Sequence, residues 1–275
     1  MQTIKVLAVG DVVGEPGRMA VQEIVPRLVR DEGIDFVIAN GENIAGGSGI
    51  NEACVRSLFG AGVNVMTSGD HIFRKKEGEA LLENSNRLLK PANYPAGTPG
   101  IGSTVVNSKS GVKIGVINLI GRVFLKTVNC PFETAEREVK KLREQTPVIF
   151  VDIHAEATSE KVALGWFLDG KVSAVFGTHT HIQTADETVL PKGTGYITDL
   201  GMCGPYYSVI GREIDQVLKM FHTQMPMRLD VAKDDARISG AIFEVDRDTG
   251  RTISVSRVHE KITKKSETPI PLKVR

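Results

Sequence analysis

Four of the six histidines stand just beyond short apolar runs, each with a carboxylate or a second imidazole close by. His179 and His181 lie one residue apart in the stretch GTHTH, after the run Val172–Phe176. His154 follows Val148–Val151 in VDIHAE together with Asp152, and Asp70 and His71 follow Val63–Met66 in SGDH. Glu42 and Asn43 belong to NGEN after Phe36–Ala39, and Asp11 belongs to GDVVG after Ile4–Val9. Imidazole and carboxylate donors suit Zn, Mn or Fe, and no cysteine lies within these stretches to add soft ligation. Two such ions about 3.5–4 Å apart polarise a phosphoryl group and hold a hydroxide for in-line attack. A centre of that kind needs one bridging carboxylate, separate ligands on each side and an open face for the phosphate.

Each residue taken alone has a plainer reading. Asp11 suits a helix N-cap, and Glu42 with Asn43 suits an exposed turn. A lone His-x-His at a strand end is as often structural as ligating. Asp152 competes as a ligand, although a place behind His154 or a capping role fits it better. His222 and His259 read as surface or packing histidines, and Cys203 as a small buried thiol. The glycines of GDVVGEPG and AGGSG lack the GxGxxG spacing of a dinucleotide loop. Recurrence at successive strand ends, where ligands bind in open α/β sheets, is what favours the metal reading.

The elements that must position these residues are legible from periodicity. Ile4–Val9 reads as a buried strand, followed by a helix whose Val21, Ile24, Val25, Leu28 and Val29 share one face. Phe36–Ala39, Val63–Met66, Val148–Val151 and Val172–Phe176 are further strands, with helices near 52–59 and 160–167 between them. Apolar strands alternating with amphipathic helices predict a layered α/β fold with both sheet faces covered. Near the far end, a helix around Ile214, Val217, Leu218 and Phe221 precedes a hairpin of Ile238–Val245 and Arg251–Val258, turning at DRDTG. The Asn-, Pro- and Gly-rich stretch 83–103 reads as a long ordered loop or lid, and the charged tail from Lys261 as a solvated edge or an oligomer contact.

Composition narrows the classes. The chain has 275 residues, 41% hydrophobic and 24% charged, enough for one sizeable core, so a single domain over 1–275 is expected. A net charge of +1 implies no general pull towards nucleic acid or acidic membranes. Cys54, Cys130 and Cys203 form no CxxC pair, which favours a reducing, cytoplasmic setting. No signal peptide and no membrane span is expected.

The motifs GDVVG, NGEN, SGDH, DIHAEATSEK, GTHTH and TDLGMCGP, with the loop KPANYPAGTPG, resemble the calcineurin-type metallophosphoesterases, specifically the bacterial YmdB-like phosphodiesterases. The resemblance runs through most of the chain. It implies an α/β/β/α sandwich of two mixed sheets flanked by helices, a di-metal centre that is often iron, and hydrolysis of phosphodiesters including cyclic nucleotides. Carried onto this sequence, it gives Asp11, Glu42, Asn43 and His181 to one metal. Glu42, Asp70, His154 and His179 go to the other, with Glu42 as the bridge. His71 becomes the general acid or charge stabiliser beside the phosphate. Broader relatives begin with Asp-x-His, whereas Val13 stands here and Asn43 fills the vacancy.

One departure stands out. The resemblance leads one to expect Gly-Asn-His at 69–71, and the chain reads Gly69-Asp70-His71. Three ligand carboxylates instead of two should tighten metal binding or favour a higher oxidation state, at some cost in attraction for phosphate. Two other readings stay open. One is a different metallohydrolase such as an amidohydrolase barrel, which usually carries its His-x-His on the first strand. The other is a non-hydrolytic regulatory protein that keeps the site for binding a metal or nucleotide.

Overall fold

The computed structural model describes residues 2–263; Met1 and the tail at 264–275 lie outside the described residues. The chain begins with β1 (Thr3–Val12), α1 (Gly14–Asp31), β2 (Phe36–Asn40), α2 (Glu52–Gly60), β3 (Val65–Thr67) and α3 (Glu77–Glu83). It continues through β4 (Ser103–Asn107), β5 (Lys113–Ile120), α4 (Pro131–Arg143), β6 (Ile149–His154), α5 (Thr158–Leu168) and β7 (Ala174–Thr178). Then follow β8 (Thr188–Val189), β9 (Gly195–Ile197), β10 (Met202–Pro205), α6 (Ile214–Thr223), β11 (Ala236–Asp246) and β12 (Thr252–Lys261). Among the described residues, no helix is long and apolar enough to cross a membrane.

Two six-stranded sheets form, ordered β12-β11-β10-β1-β2-β3 and β4-β5-β6-β7-β9-β8. Both are mixed. In the first, β1, β2 and β3 run parallel while β11 and β12 are antiparallel. In the second, β5, β6, β7 and β9 run parallel between antiparallel edges β4 and β8. Period-two alternation sends successive side chains of each strand to opposite faces. Val6, Ala8, Phe36 and Ile38 of the first sheet therefore meet Val116, Phe150 and Phe176 of the second. Phe150 and Phe243 touch edge to face across this layer, with ring centroids 5.8 Å apart. Each fully buried phenylalanine contributes about 1.5–3 kcal/mol.

The outward faces bury the helices. Leu7, Val9 and Val37 pack on Val21, Ile24, Val25 and Leu28 of α1 and Leu58 of α2. Ile117, Val151 and Ile153 pack on Ala135 and Leu142 of α4 and Leu164 and Leu168 of α5. The result is the expected α/β/β/α sandwich of two mixed sheets. Its open sheet edges rule out the amidohydrolase barrel.

The strands run further than their apolar stretches. Asp152 pairs with Phe176 and His154 with Thr178 inside the β6–β7 ladder, because backbone pairing is indifferent to side-chain polarity. Two strands and a helix, β4, β5 and α4, occupy a region that periodicity leaves unassigned. The stretch after α3 is an ordered loop built into the molecule: Leu88 and Leu89 are fully buried, and Leu89 N donates to Met66 O at 2.8 Å. On α6 only Val217 is buried, whereas Leu218 and Phe221 face outward. The DRDTG turn forms as predicted, with Asp246 Oδ1 accepting from the backbone of Asp248 and Thr249.

Candidate metal centre

The carboxyl ends of strands from both sheets meet at one edge of the sandwich. The first sheet brings carboxylates: Asp11 near the end of β1, Glu42 and Asn43 after β2, and Asp70 with His71 after β3. The second brings imidazoles: His154 as the last residue of β6, with His179 and His181 following β7. Gly69 is required by this approach, because a Cβ there would lie 2.1 Å from the His154 ring.

Glu42 is central. Its Oε1 lies 3.4 Å from His154 Nε2 and 3.3 Å from His71 Nδ1, and accepts from Asn43 Nδ2 at 3.1 Å. Its Oε2 accepts from His71 N at 2.9 Å. Asp70 Oδ1 lies 3.4 Å from His154 Nε2 and 3.7 Å from His179 Nδ1. The two ring nitrogens His154 Nε2 and His179 Nδ1 are 3.0 Å apart. Asp11 Oδ2 accepts from His179 N at 2.9 Å, while its Oδ1 lies 3.8 Å from His154 Nδ1 and 3.9 Å from His181 Nε2.

Three groups have donor atoms close enough to share an ion: Asp70 with His154 and His179, Asp11 with Glu42 and His154, and Glu42 with Asp70 and His71. Of the residues expected at one metal, Asp70, His154 and His179 are thus brought together with Glu42 beside them. Of those expected at the other, Asp11 and Glu42 adjoin, and His181 approaches Asp11. Asn43 turns its Oδ1 to His71 Nδ1 at 2.8 Å. Asp11 Oδ1 and Asp70 Oδ1 are buried without any hydrogen-bond partner. Orphaned carboxylate oxygens are costly, and their aim into a ring of imidazoles is what a cation site requires. The donor set fits a metal centre.

The imidazoles are orientated from behind. Thr178 Oγ1 lies 2.9 Å from His154 Nδ1 and donates to Asp152 Oδ1 at 2.8 Å. Ile210 O accepts from His181 Nδ1 at 3.0 Å. These contacts leave Nε2 of His154 and of His181 free to face inward. Asp152 belongs to a buried polar layer: it also accepts from Thr67 Oγ1 and, at 3.5 Å, from Asn40 Nδ2. Asn40, Thr67 and Thr178 carry no metal-ligand signal in the sequence. Strand parity would have found them, since Asn40 shares its face with Ile38, and Thr178 with Phe176.

The field of the three carboxylates governs protonation. Burial raises the pKa of Asp11 against the pull of His181 and His154. Burial opposes ionisation of Glu42 and Asp70 too, but their imidazole neighbours, His154 foremost, outweigh it and lower both. For His154, burial disfavours the proton, yet Glu42, Asp70, Asp11 and Asp152 hold its pKa at about 10. The hydrogen bond to Glu42 raises His71. His179 is lowered by burial and then by His154. An environment that retains protons on imidazoles this strongly also attracts divalent cations.

The centre opens into a cavity of about 300 Å³ walled by His71, Glu156, Ile210 and Arg212. Arg212 is the permanent cation on that wall, anchored to Gly47 O and Leu229 O. Cys203 is fully buried behind Asp11 and its thiol is pushed up to about 12 by burial, as a structural thiol should be. His222 is exposed, and His259 packs against Ser239 and Arg237, as expected.

Residues 7–258 match the YmdB-like protein family. A 2′,3′-cyclic-nucleotide 2′-phosphodiesterase of Bacillus subtilis is 45% identical over 255 residues, covering 93% of this chain and 96% of that protein. The crystal structure of a novel phosphatase from Mycoplasma pneumoniae superposes with a TM-score of 0.89 at 34% identity, covering 95% of this chain and 94% of that one. That of a hypothetical protein from Thermus thermophilus gives 0.87 at 41% identity, with 94% and 99% covered. Fold and sequence agree along nearly the whole length, and this chain belongs to the YmdB-like protein family.

Proposed function

We propose that this protein is a metal-dependent phosphodiesterase that hydrolyses cyclic nucleotides of the 2′,3′ class at a binuclear centre. The observation that carries the reading is the convergence of Asp11, Glu42 and Asp70 with His71, His154 and His179, two of the carboxylate oxygens orphaned, beside a cavity that Glu42, His71 and His179 line. The substrate class rests on the Bacillus subtilis relative. In this reading Asp11, Glu42, Asn43 and His181 hold one ion, and Glu42, Asp70, His154 and His179 the other. Iron fits this nitrogen and oxygen donor set, as do manganese and zinc. Ions held there supply Lewis acidity towards a phosphoryl oxygen and a nucleophile at neutral pH.

The protein's own groups do the rest. Contact with Glu42 raises His71, which keeps its imidazolium available as a proton donor to the leaving oxygen. Asn43 Oδ1 fixes the ring through Nδ1, and Nε2, 3.4 Å from Asp70 Oδ2, is the atom for that transfer. Arg212 offsets the negative charge of the carboxylates where a phosphate must enter. The proposed setting is the cytoplasm, where Cys54, Cys130 and Cys203 remain free thiols.

The test is hydrolysis of bis-p-nitrophenyl phosphate and of 2′,3′- and 3′,5′-cyclic nucleotides after loading with iron, manganese or zinc, alongside metal analysis. Turnover of the 2′,3′ substrates supports the reading. Bound metal without turnover under any supply replaces it with a regulatory binding protein.

A further inference from the structure

Two motif residues have no part in the chemistry above, Lys161 of DIHAEATSEK and Asp199 of TDLGMCGP. Lys161 on α5 is 1% exposed, and its Nζ donates to Asp199 Oδ2 at 2.6 Å. The same Oδ2 accepts from Thr180 N at 3.1 Å and from Thr180 Oγ1 at 2.7 Å, while Oδ1 accepts from Gly201 N at 2.8 Å. The side-chain partners of Asp199 besides Lys161 are therefore Thr180, between the two histidines, and Gly201 in the turn beside it. Gly177 makes room for it: a Cβ there would lie 2.7 Å from Lys161 Cδ and 1.9 Å from Thr198 O.

The backbone on either side of Thr180 is unusual. His179 has φ +103° and His181 φ +65°, in a region that side chains other than glycine rarely adopt. Such conformations persist where the surroundings over-determine them. With Thr180 pinned between the two kinks, His179 Nδ1 faces His154 and Asp70, whereas His181 Nε2 faces Asp11. Burying a lysine and an aspartate is a poor route to stability alone. Here Lys161 also neutralises Asp199, so that a carboxylate beside the centre anchors a loop without competing as a ligand.

We propose that the Lys161–Asp199 pair, acting through Thr180, divides His179 from His181 so that each serves a different metal ion. This rests on the two-ion reading above. Lys161, Asp199 and Thr180 are positioning residues.

The experiment strips the full-length protein with a chelator and titrates it with Mn²⁺ by calorimetry, then with Co²⁺ while recording visible absorption. Wild type, Thr180→Val, Thr180→Ser and Lys161→Met are compared, with folding checked by circular dichroism. Two Mn²⁺ should bind per wild-type chain. Thr180→Val should weaken binding by roughly tenfold, the usual cost of losing an outer-shell partner, and alter the Co²⁺ spectrum, while Thr180→Ser restores both. Lys161→Met should follow Thr180→Val; if it fails to fold, the half-buried Thr180 variants decide alone. A folded Thr180→Val that binds two Mn²⁺ within twofold of wild type overturns the proposal, as does a wild type that binds fewer than two. Two bound ions without any turnover would sink the phosphodiesterase reading and leave this one standing.

Discussion

His154 and Thr178 are register partners on adjacent strands, and the imidazole Nδ1 sits 2.9 Å from the threonine hydroxyl. Because that hydroxyl donates onward to Asp152, it accepts the ring proton and leaves Nε2 as the inward lone pair. The tautomer of a candidate ligand is thus set by β-ladder register. Thr178→Val keeps the shape and removes the acceptor. It should lower metal affinity by about tenfold or more, and Thr178→Ser should restore it, as read by calorimetric titration. Equal affinities for Thr178→Val and wild type would show that the hydroxyl does not orient the ring.

Removing metal should make the protein sensitive to alkali. The pKa of His154 rises from its ordinary 6.5 to about 10 in the folded chain, where Glu42 and its fellow carboxylates overcome the penalty of burial. A raised pKa gives stability that is fully present below about 6.5 and is lost as pH climbs through about 10. Asp152, raised by burial from 3.8 to about 7, acts with the same sign over a lower window. The Tm of chelator-treated protein should therefore fall between pH 6.5 and 10, and metal should flatten the decline. A Tm that rises across that window would contradict the argument.

Asp70 adds a third carboxylate where the family resemblance leads one to expect asparagine. Asp70→Asn should weaken Mn²⁺ binding by roughly tenfold and lower KM for a phosphodiester, since less negative charge faces the incoming phosphate. Metal content and kinetics both unchanged would leave the extra charge without a role.

His71 and Arg212 should separate in steady-state kinetics. His71→Gln removes the proton donor and should reduce kcat by about 10²–10⁴ with KM little changed. Arg212→Met should instead raise KM by about tenfold, in line with loss of one charge-assisted hydrogen bond. If both variants change the same constant, one of the two roles is misassigned.

The sequence was most informative where chemistry and periodicity coincide. Asp11, Glu42, Asp70, His154, His179 and His181 each follow an apolar strand, so their convergence could be read from the order of motifs. Asp152 competes as a ligand in the sequence, two residues before His154 and on the same strand face, and the structure ties it instead to Thr178 and Thr67. The layer of Asn40, Thr67 and Thr178 was not seen, because each is the last residue of its strand and only parity with the apolar residue two before it marks it as inward. Lys161 and Asp199 stand 38 residues apart, and nothing local marks a buried ion pair. The helix α4 and strands β4 and β5 were missed although Ile114–Ile120 is an apolar run and Thr134, Ala135, Val139 and Leu142 recur at helical spacing. The outward Leu218 and Phe221 of α6 are a reminder that an amphipathic stripe fixes a helix, not what covers it.

The carboxylates of the centre come from one sheet and its three inward imidazoles from the other. Two of the three donor groups, Asp70 with His154 and His179 and Asp11 with Glu42 and His154, draw on both sheets, so an ion held there would act as a rivet across the seam of the sandwich. Affinity at those two groups would then report on assembly, because sheets docked out of register would part His154 from Asp11, Glu42 and Asp70.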